Sequence, residues 1–432
     1  MTVATVKLWG RTIGAVLWDV DRSLGVFEYS RAFVDSGIEV SPIVMPLRAA
    51  PYQFPELKSG FSNLPGLVAD SLPDRFGNRL IDAWLASQGR TPGSMNPVER
   101  LCYIGRRAMG ALEFEPATGP DLTHGAVDVA ELTVLANRVL DEREGLGGYL
   151  TGGSGDTTAL RTILKVGTSA GGARAKAVLL WNPDSDEFRS GQVDASPGFE
   201  HWLLKFDGVT NNRDRELADP LGYGRLEYAY YLMAREAGIE MTPCRLHEEG
   251  GRSHFMTRRF DRTVDGKKIH LQSLAALCHF DYNDPGSYSY EQAMQVIRQI
   301  CTHPLKDAEQ QFLRAVFNVL ARNQDDHVKN IAFLMNPEGA WTLSPAYDVS
   351  YAWNPDGAFT SRHQMSINGR RDGFDIEDFL ALASMAGIKL RRARELIDQV
   401  AAALTLWPEF ADRAGITGER VEAVGQAHRV MV

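Results

Sequence analysis

Asp325, Asn330 and Asp348 have the residue types and the spacing of a phosphoryl-transfer site. Asn330 follows Asp325 by five residues, and Asp348 follows Asn330 by 18. An Asp five residues before an Asn is the spacing of the protein-kinase catalytic loop. In that loop the Asp takes the proton of the attacking hydroxyl, while the Asn and a later Asp hold the magnesium that bridges the nucleotide phosphates. The flanking sequence is suited to position such a loop. Phe312, Val316 and Leu320 recur at helical spacing with Leu313 and Phe317 beside them, which predicts a buried helix running into it. Ile331 to Leu334 reads as a short strand, Asn336-Pro337-Glu338-Gly339 as a turn, and Trp341 to Leu343 as the returning strand. Such a hairpin brings the residues after Leu343 back beside Asn330, within reach of a shared metal. Asp and Asn at this spacing also cap helices and solvate turns. The intervening Lys329, the two apolar strands and the acid at the exit favour phosphoryl transfer over that reading.

Two further stretches have the chemistry to meet a nucleotide. Gly167-Thr168-Ser169-Ala170-Gly171-Gly172-Ala173-Arg174-Ala175-Lys176 lies between the strand-like Thr162 to Val166 and Ala177 to Leu180. A glycine loop between strands lets backbone N–H groups approach phosphates closely. It lacks the Gly-Lys-Ser/Thr of a Walker A loop and the G-x-G-x-x-G of ordinary kinases, and a plain hairpin turn has the same look. Lys205 ends the apolar run His201 to Phe206. A strand lysine in that position either pairs with phosphates or snorkels at the sheet edge.

A chain of 432 residues exceeds the size that one core normally serves. Three regions are expected: residues 1–120, a small α+β unit; 121–256, a connecting helix, the glycine loop and a nucleotide-binding lobe; and 257–432, a mostly helical lobe with the catalytic loop. Strands are predicted at Val3 to Leu8 and Ile13 to Trp18, and helices at Arg79 to Ser87, Glu227 to Ala237 and Glu291 to Ile300. Six glycines between Gly145 and Gly155 read as a flexible connection. With 44% hydrophobic and 23% charged residues the composition is that of a soluble globular protein. Neither an apolar run of spanning length nor a signal segment is present, so no membrane association and a cytoplasmic location are expected. Cys102, Cys244, Cys278 and Cys301 form no C-x-x-C pair, which argues against a disulfide framework or a structural zinc. A net charge of −9 argues against general nucleic-acid binding. Lys389, Arg391, Arg392 and Arg394 read as a solvated helix face that could also touch a partner or DNA backbone.

The chain resembles the HipA family of bacterial serine/threonine kinases, the toxins of type II toxin–antitoxin modules. The resemblance runs through Leu72-Pro73-Asp74-Arg75-Phe76-Gly77, Tyr103-Ile104-Gly105-Arg106 with Gly110-Ala111-Leu112, and the loop from Ser169 to Lys176. It continues with Leu203-Leu204-Lys205, Glu227 ahead of Gly238-Ile239, Arg259-Phe260-Asp261-Arg262, Asp325-x-His327-x-Lys329-Asn330 and Ala346-Tyr347-Asp348. It implies an α+β, two-lobed protein-kinase-like fold with an additional N-terminal α+β subdomain and a mostly helical C-terminal lobe. It further implies Asp325 as catalytic base and Asn330 and Asp348 as Mg2+ ligands. ATP would be met by Lys205, by Ser169, Gly171 and Gly172 of the glycine loop, by His327 and Lys329, and by a hinge of Thr257, Arg258, Arg259 and Phe260. Two positions depart from the family pattern. Arg258 stands where an acid is usual, and Arg174 where the loop usually reads Gly-Ala-Gln.

The same resemblance implies autophosphorylation on Ser169, with Thr168 as a neighbouring acceptor. It also implies a helix-turn-helix antitoxin of HipB type as partner, operator DNA contacted mainly through that antitoxin, and growth arrest or persistence as the outcome. The implied protein substrate is a translation component, with glutamyl-tRNA synthetase the first candidate among aminoacyl-tRNA synthetases. Two other functions fit the residues: a small-molecule kinase, which shares the carboxylate logic, and a non-catalytic antitoxin-binding co-repressor. Phosphate on Ser169 would add about −1.5 to −2 charges to a loop that lies over the phosphates of ATP. Phospho-Ser169 protein is therefore expected to bind ATP more weakly than a Ser169→Ala variant; equal affinities by calorimetry would refute this.

Overall fold

The computed structural model describes residues 2–57, 59–120, 126–141, 163–164, 174–192, 195–209 and 221–430. The six-glycine connection and the glycine loop with Ser169, Gly171 and Gly172 lie outside them. Alternating apolar residues build the first sheet. In β1 (Thr2–Leu8), Ala4, Val6 and Leu8 are buried on one face. It pairs with β2 (Arg11–Asp19), which pairs with β3 (Leu24–Tyr29), and β4 (Leu112–Glu115) closes the order β3-β2-β1-β4. Helices α1 (Arg31–Val34), α2 (Gly66–Ala69), α3 (Arg75–Ser87) and α4 (Pro97–Ile104) complete this region. Helix α3 begins one turn before the predicted Arg79, because Asp74 caps it: its Oδ1 accepts from the Gly77 N–H at 2.6 Å.

The second sheet is five-stranded and antiparallel. Its strands are β5 (Lys176–Asn182), β6 (Glu187–Ser190), β7 (Glu200–Lys205), β8 (Cys244–Glu249) and β9 (Arg252–Arg258), in the order β6-β5-β7-β9-β8. Helix α5 (Val129–Asp141) precedes it, and α6 (Tyr223–Glu236) lies between β7 and β8 in the chain and packs on β8 and β9. Ile163 and Leu164, expected in a strand, are helical and buried, their side chains joining the core beneath this sheet. The remainder comprises α7 (Leu274–Cys278), α8 (Tyr290–Ile300), α9 (Pro304–Leu320), α10 (Ile376–Ala386), α11 (Leu390–Thr405), α12 (Trp407–Arg413) and α13 (Glu419–Ala427). Among these helices sits a small sheet of β10 (His270–Ser273), β12 (Ala332–Met335) and β13 (Trp341–Leu343), order β10-β12-β13, and a two-residue pairing of β11 (Tyr288–Ser289) with β14 (Met365–Ser366).

Two large cores hold the described residues, and neither stops at residue 120 or 256. One joins Val6, Phe27 and Phe114 of the first sheet to Phe312, Phe317 and Phe379 of the helical lobe. The other joins Phe76 and Leu80 of α3 to Leu132 and Ala136 of α5 and to Ala177 and Leu204 of β5 and β7. Burial of this much apolar side chain is what welds the three segments together.

Charge fixes the junction. Arg259 grips Asp261 through Nε at 2.8 Å and Nη2 at 2.7 Å, and Arg262 Nη1 donates to the same carboxylate at 2.9 Å. Asp261 Oδ2 also accepts the backbone N–H of Gly110 at 2.6 Å, and Arg262 returns a bond to the Gly110 carbonyl at 3.1 Å. Burial alone would raise the Asp261 carboxyl, but the two guanidinium groups hold it well below the usual carboxylate range. A depressed carboxylate stabilises the fold above its unfolded pKa, so this share is present at neutral pH and lost as the pH falls below the ordinary carboxylate range. Asp261→Asn is expected to lower stability by about 3–5 kcal/mol, read as a lower urea midpoint at pH 7. The deficit relative to wild type should shrink in acid.

Candidate active site

Lys205 stands at the end of β7, and its ammonium lies between two carboxylates. Nζ reaches Glu227 Oε1 of α6 at 2.5 Å and also contacts Asp348 Oδ1. Burial works against the lysine charge, but Asp348 and Glu227 raise its pKa well above the ordinary value. Glu227 is itself pushed up by burial, with Lys205 opposing the shift. For Asp348, burial would raise the carboxyl, while Lys205 and Lys176 hold it far below its usual range. Asp348 also has φ +53°, a left-handed conformation disfavoured for a side chain with a Cβ. Its neighbours hold it there: the Ala346 N–H donates to Glu240 O at 2.8 Å, and the Tyr347 hydroxyl donates to Lys329 O at 2.5 Å.

The helix and hairpin expected around the catalytic loop are present as α9, β12 and β13, with Phe312, Val316 and Leu320 buried. The hairpin returns Asp348 to the loop, where Asn330, Asp348 and His327 line one pocket. Asn330 Nδ2 donates to the Asp325 carbonyl at 2.8 Å, so the amide's other atom, Oδ1, is the one suited to meet a cation. The donor set of one amide oxygen and one carboxylate suits a hard cation that keeps phosphate and water oxygens in its shell, so these residues fit Mg2+.

The two adjacent acids of the loop have opposite environments. The Asp325 side chain is 48% exposed, with Gln364 Nε2 donating to Oδ1 at 3.0 Å and His327 Nε2 3.9 Å from the same oxygen. Asp326 is buried and fully bonded: it accepts from Tyr290 Oη at 2.8 Å, from His363 Nδ1 at 2.9 Å and from the Gln364 N–H at 2.8 Å. Burial would raise its pKa, yet these contacts, His363 foremost, lower it. Asp326 braces the loop from within, and Asp325 is half-exposed on its outer side. His327 and Lys329 flank Tyr282, the ring of His327 at 5.8 Å and Nζ of Lys329 at 4.4 Å from its centre.

The predicted hinge is divided by its bonding. The N–H of Arg258 donates to Pro243 O and that of Arg259 to His201 O, both at 2.9 Å. The Arg258 side chain meets Glu200 at 3.3 Å, and that of Arg259 belongs to the buried junction with Asp261. Thr257 lies within β9, paired with Leu203 and Cys244. Phe260 is half-buried, its ring 5.5 Å from that of Tyr347, which lines the pocket of Asn330 and Asp348. Ser169, Gly171 and Gly172 lie outside the described residues.

Glu227 and Gln364 complete the site without having been assigned a role from residue type and spacing. Glu227 did leave a signal, since an acid at a buried position among Tyr223, Leu226 and Tyr230 of α6 needs a cation. Gln364 lies in an irregular stretch just before β14 and left none.

A five-stranded antiparallel sheet, a helix whose Glu meets the sheet Lys, and an Asp/Asn loop followed by a hairpin and a second Asp define a two-lobed protein-kinase-like fold. Residues 168–407 match the HipA-like C-terminal domain and residues 4–115 the HipA N-terminal domain. The chain belongs to the HipA family. It is 25% identical over 428 residues to Y4mE of Sinorhizobium fredii, named as a candidate kinase, covering 94% of this chain and 92% of that protein. It superimposes with a TM-score of 0.67 on a chain of the Shewanella oneidensis complex of HipA, HipB and operator DNA, at 17% identity over 98% of this chain and 94% of that one. Among the described residues no helix is long and apolar enough to cross a membrane.

The contrast between the two acids has a direct consequence. Asp325→Asn is expected to abolish turnover while stability stays within about 0.5 kcal/mol of wild type. Asp326→Ala strands Tyr290, His363 and the Gln364 N–H and is expected to cost about 3–5 kcal/mol. Chemical denaturation of both variants beside their activities checks the pair.

Proposed function

We propose that this chain is a HipA-type kinase that transfers the γ-phosphoryl group of ATP to a Ser or Thr hydroxyl of a protein. The observation that carries the reading is the Lys205 ammonium held between Glu227 and Asp348, with Asp348 sharing a pocket with Asn330 of the loop that bears a half-exposed Asp325. That is the constellation a phosphoryl transferase needs for positioning and charge neutralisation. Asp325, oriented by Gln364, accepts the proton of the incoming hydroxyl. The hydroxyl oxygen bonds to the γ-phosphorus, the bond from that phosphorus to the β-γ bridging oxygen breaks, and ADP leaves. Lys205 exchanges part of its contact with Asp348 for phosphate oxygens, while Glu227 keeps it in place. Asn330 and Asp348 would hold Mg2+, which when bound would neutralise charge on the phosphate oxygens. His327, Lys329 and Phe260 border the same cleft and contact the nucleotide.

The partners follow from the family. A helix-turn-helix antitoxin of HipB type is proposed, with operator DNA reached through it; the Shewanella oneidensis structure is a complex of HipA, HipB and operator DNA. The proposed substrate is a translation component, glutamyl-tRNA synthetase first, and Ser169 is the proposed site of autophosphorylation. Purified wild type, Asp325→Ala and Ser169→Ala proteins given labelled Mg-ATP, alone and with a bacterial lysate, test this. Wild type is expected to label Ser169 and a lysate protein, and Asp325→Ala neither. Absence of label in every form, together with absence of ATP binding, would overturn the proposal.

A further inference from the structure

We infer that Asp74, at the start of α3 in the N-terminal region, is a positioning residue of the nucleotide site that holds Lys176 beside Lys205 at the phosphate end of the cleft. The inference rests on the kinase reading above. Lys176 opens β5 and is paired in register with Lys205 of β7, so the two side chains leave the sheet on one face as direct neighbours. Like charges so placed repel, and water screens neither well: the Lys176 side chain is 3% exposed and that of Lys205 11%. Lys205 has Glu227 and Asp348. Facing Lys176 is Asp74, whose Oδ2 lies 3.7 Å from Nζ with its own side chain 5% exposed. Asp348 and Glu227 face Lys176 from farther off, and Lys329 of the catalytic loop faces Asp74. The carboxylate therefore acts on the charge cluster of Lys176, Lys205 and Asp348 from a segment outside both kinase lobes.

Helix capping does not account for an aspartate here. One oxygen suffices to cap, and Asp74 Oδ1 does so at Gly77. Ser or Asn would serve as well. The second oxygen and the charge are surplus to the cap, and Oδ2 accepts no hydrogen bond among the described residues. Burial pushes this carboxyl up to about 6 against the pull of Lys176 and the Gly77 N–H, so its ionised form is held at a cost. The segment carrying it is docked firmly. Asp70 accepts from the N–H and Oγ of Ser273 at 2.7 and 2.9 Å, and the Gly66 N–H donates to His279 Nε2 at 3.0 Å. A Cβ on Gly66 would come within 2.2 Å of Ala276 O, so the approach requires glycine. Asp74 is thus placed by bonds to the helical lobe and acts on a lysine of the sheet lobe.

Asp74→Asn keeps the capping oxygen and removes the charge, and Asp74→Ser is a second variant with the same property. Affinity for Mg-bound, non-hydrolysable ATP would be measured by calorimetry for wild type, each of these, Lys176→Met, and the Asp74→Asn, Lys176→Met pair, with thermal midpoints in parallel. The expected result is about a tenfold loss of affinity in Asp74→Asn, measured at a temperature well below its lowered thermal midpoint, with the pair no weaker than Lys176→Met alone. Wild-type affinity in both Asp74 variants, or losses that simply add in the pair, would overturn the inference and leave the kinase reading standing. Failure of the wild type itself to bind would overturn both.

Discussion

Everything in this site depends on keeping one ammonium charged in a place shielded from water. A buried lysine without counter-charge loses its proton or unfolds its surroundings, and Lys205 is held by carboxylates 22 and 143 residues away in the chain. Glu227 ties it to α6 and Asp348 ties it to the end of the β12–β13 hairpin. Those two contacts set the sheet, the helix and the catalytic loop relative to one another. Burial raises both carboxyls and the lysine opposes that shift in each, so the three groups stand or fall together. The left-handed backbone of Asp348 is carried by that cooperation.

The N-terminal region takes part in the same construction. Its sheet shares a core with the helical lobe, α3 shares another with the five-stranded sheet, and the Gly110 turn is clamped by Asp261 and Arg262. Smaller bonds repeat the pattern: Trp9 Nε1 donates to Lys268 O at 2.8 Å, and Trp341 Nε1 to Glu39 O at 3.0 Å. A region joined this way cannot move freely against the site, and strain at one end is transmitted to the other through packed side chains. The basic residues of α11 differ in kind. Arg391 pairs with Glu395, and Arg392 with Glu309 and Glu395, all near the surface, where such pairs contribute little.

Local pattern was sufficient wherever the cause is local. The stripe of Phe312, Val316 and Leu320, the turn at Asn336 to Gly339 and the alternation in β1 each reflect one face buried by a regular element, and the structure shows them within a residue or two. Helix α3 starts at Arg75, a turn ahead of the predicted Arg79, because the Asp74 cap nucleates it before the periodic apolar residues begin. Ile163 and Leu164 were misread because a short apolar run fits a strand or a buried helix equally well.

For this protein the sequence by itself determined the elements and the chemistry available to them: an Asp/Asn loop entered from a buried helix and left by a hairpin, a strand lysine, and a second acid brought back to the loop. Only the tertiary structure decided which groups are partners. It turned Asp325 outward and sealed Asp326 behind Tyr290 and His363, gave Glu227 to Lys205, drew Arg259 out of the hinge into a buried ion pair, and set Asp74 opposite Lys176. The reason is physical. Periodicity reports which side of one element avoids water, whereas the pairing of buried charges is set by how distant elements pack, and no local pattern encodes that distance.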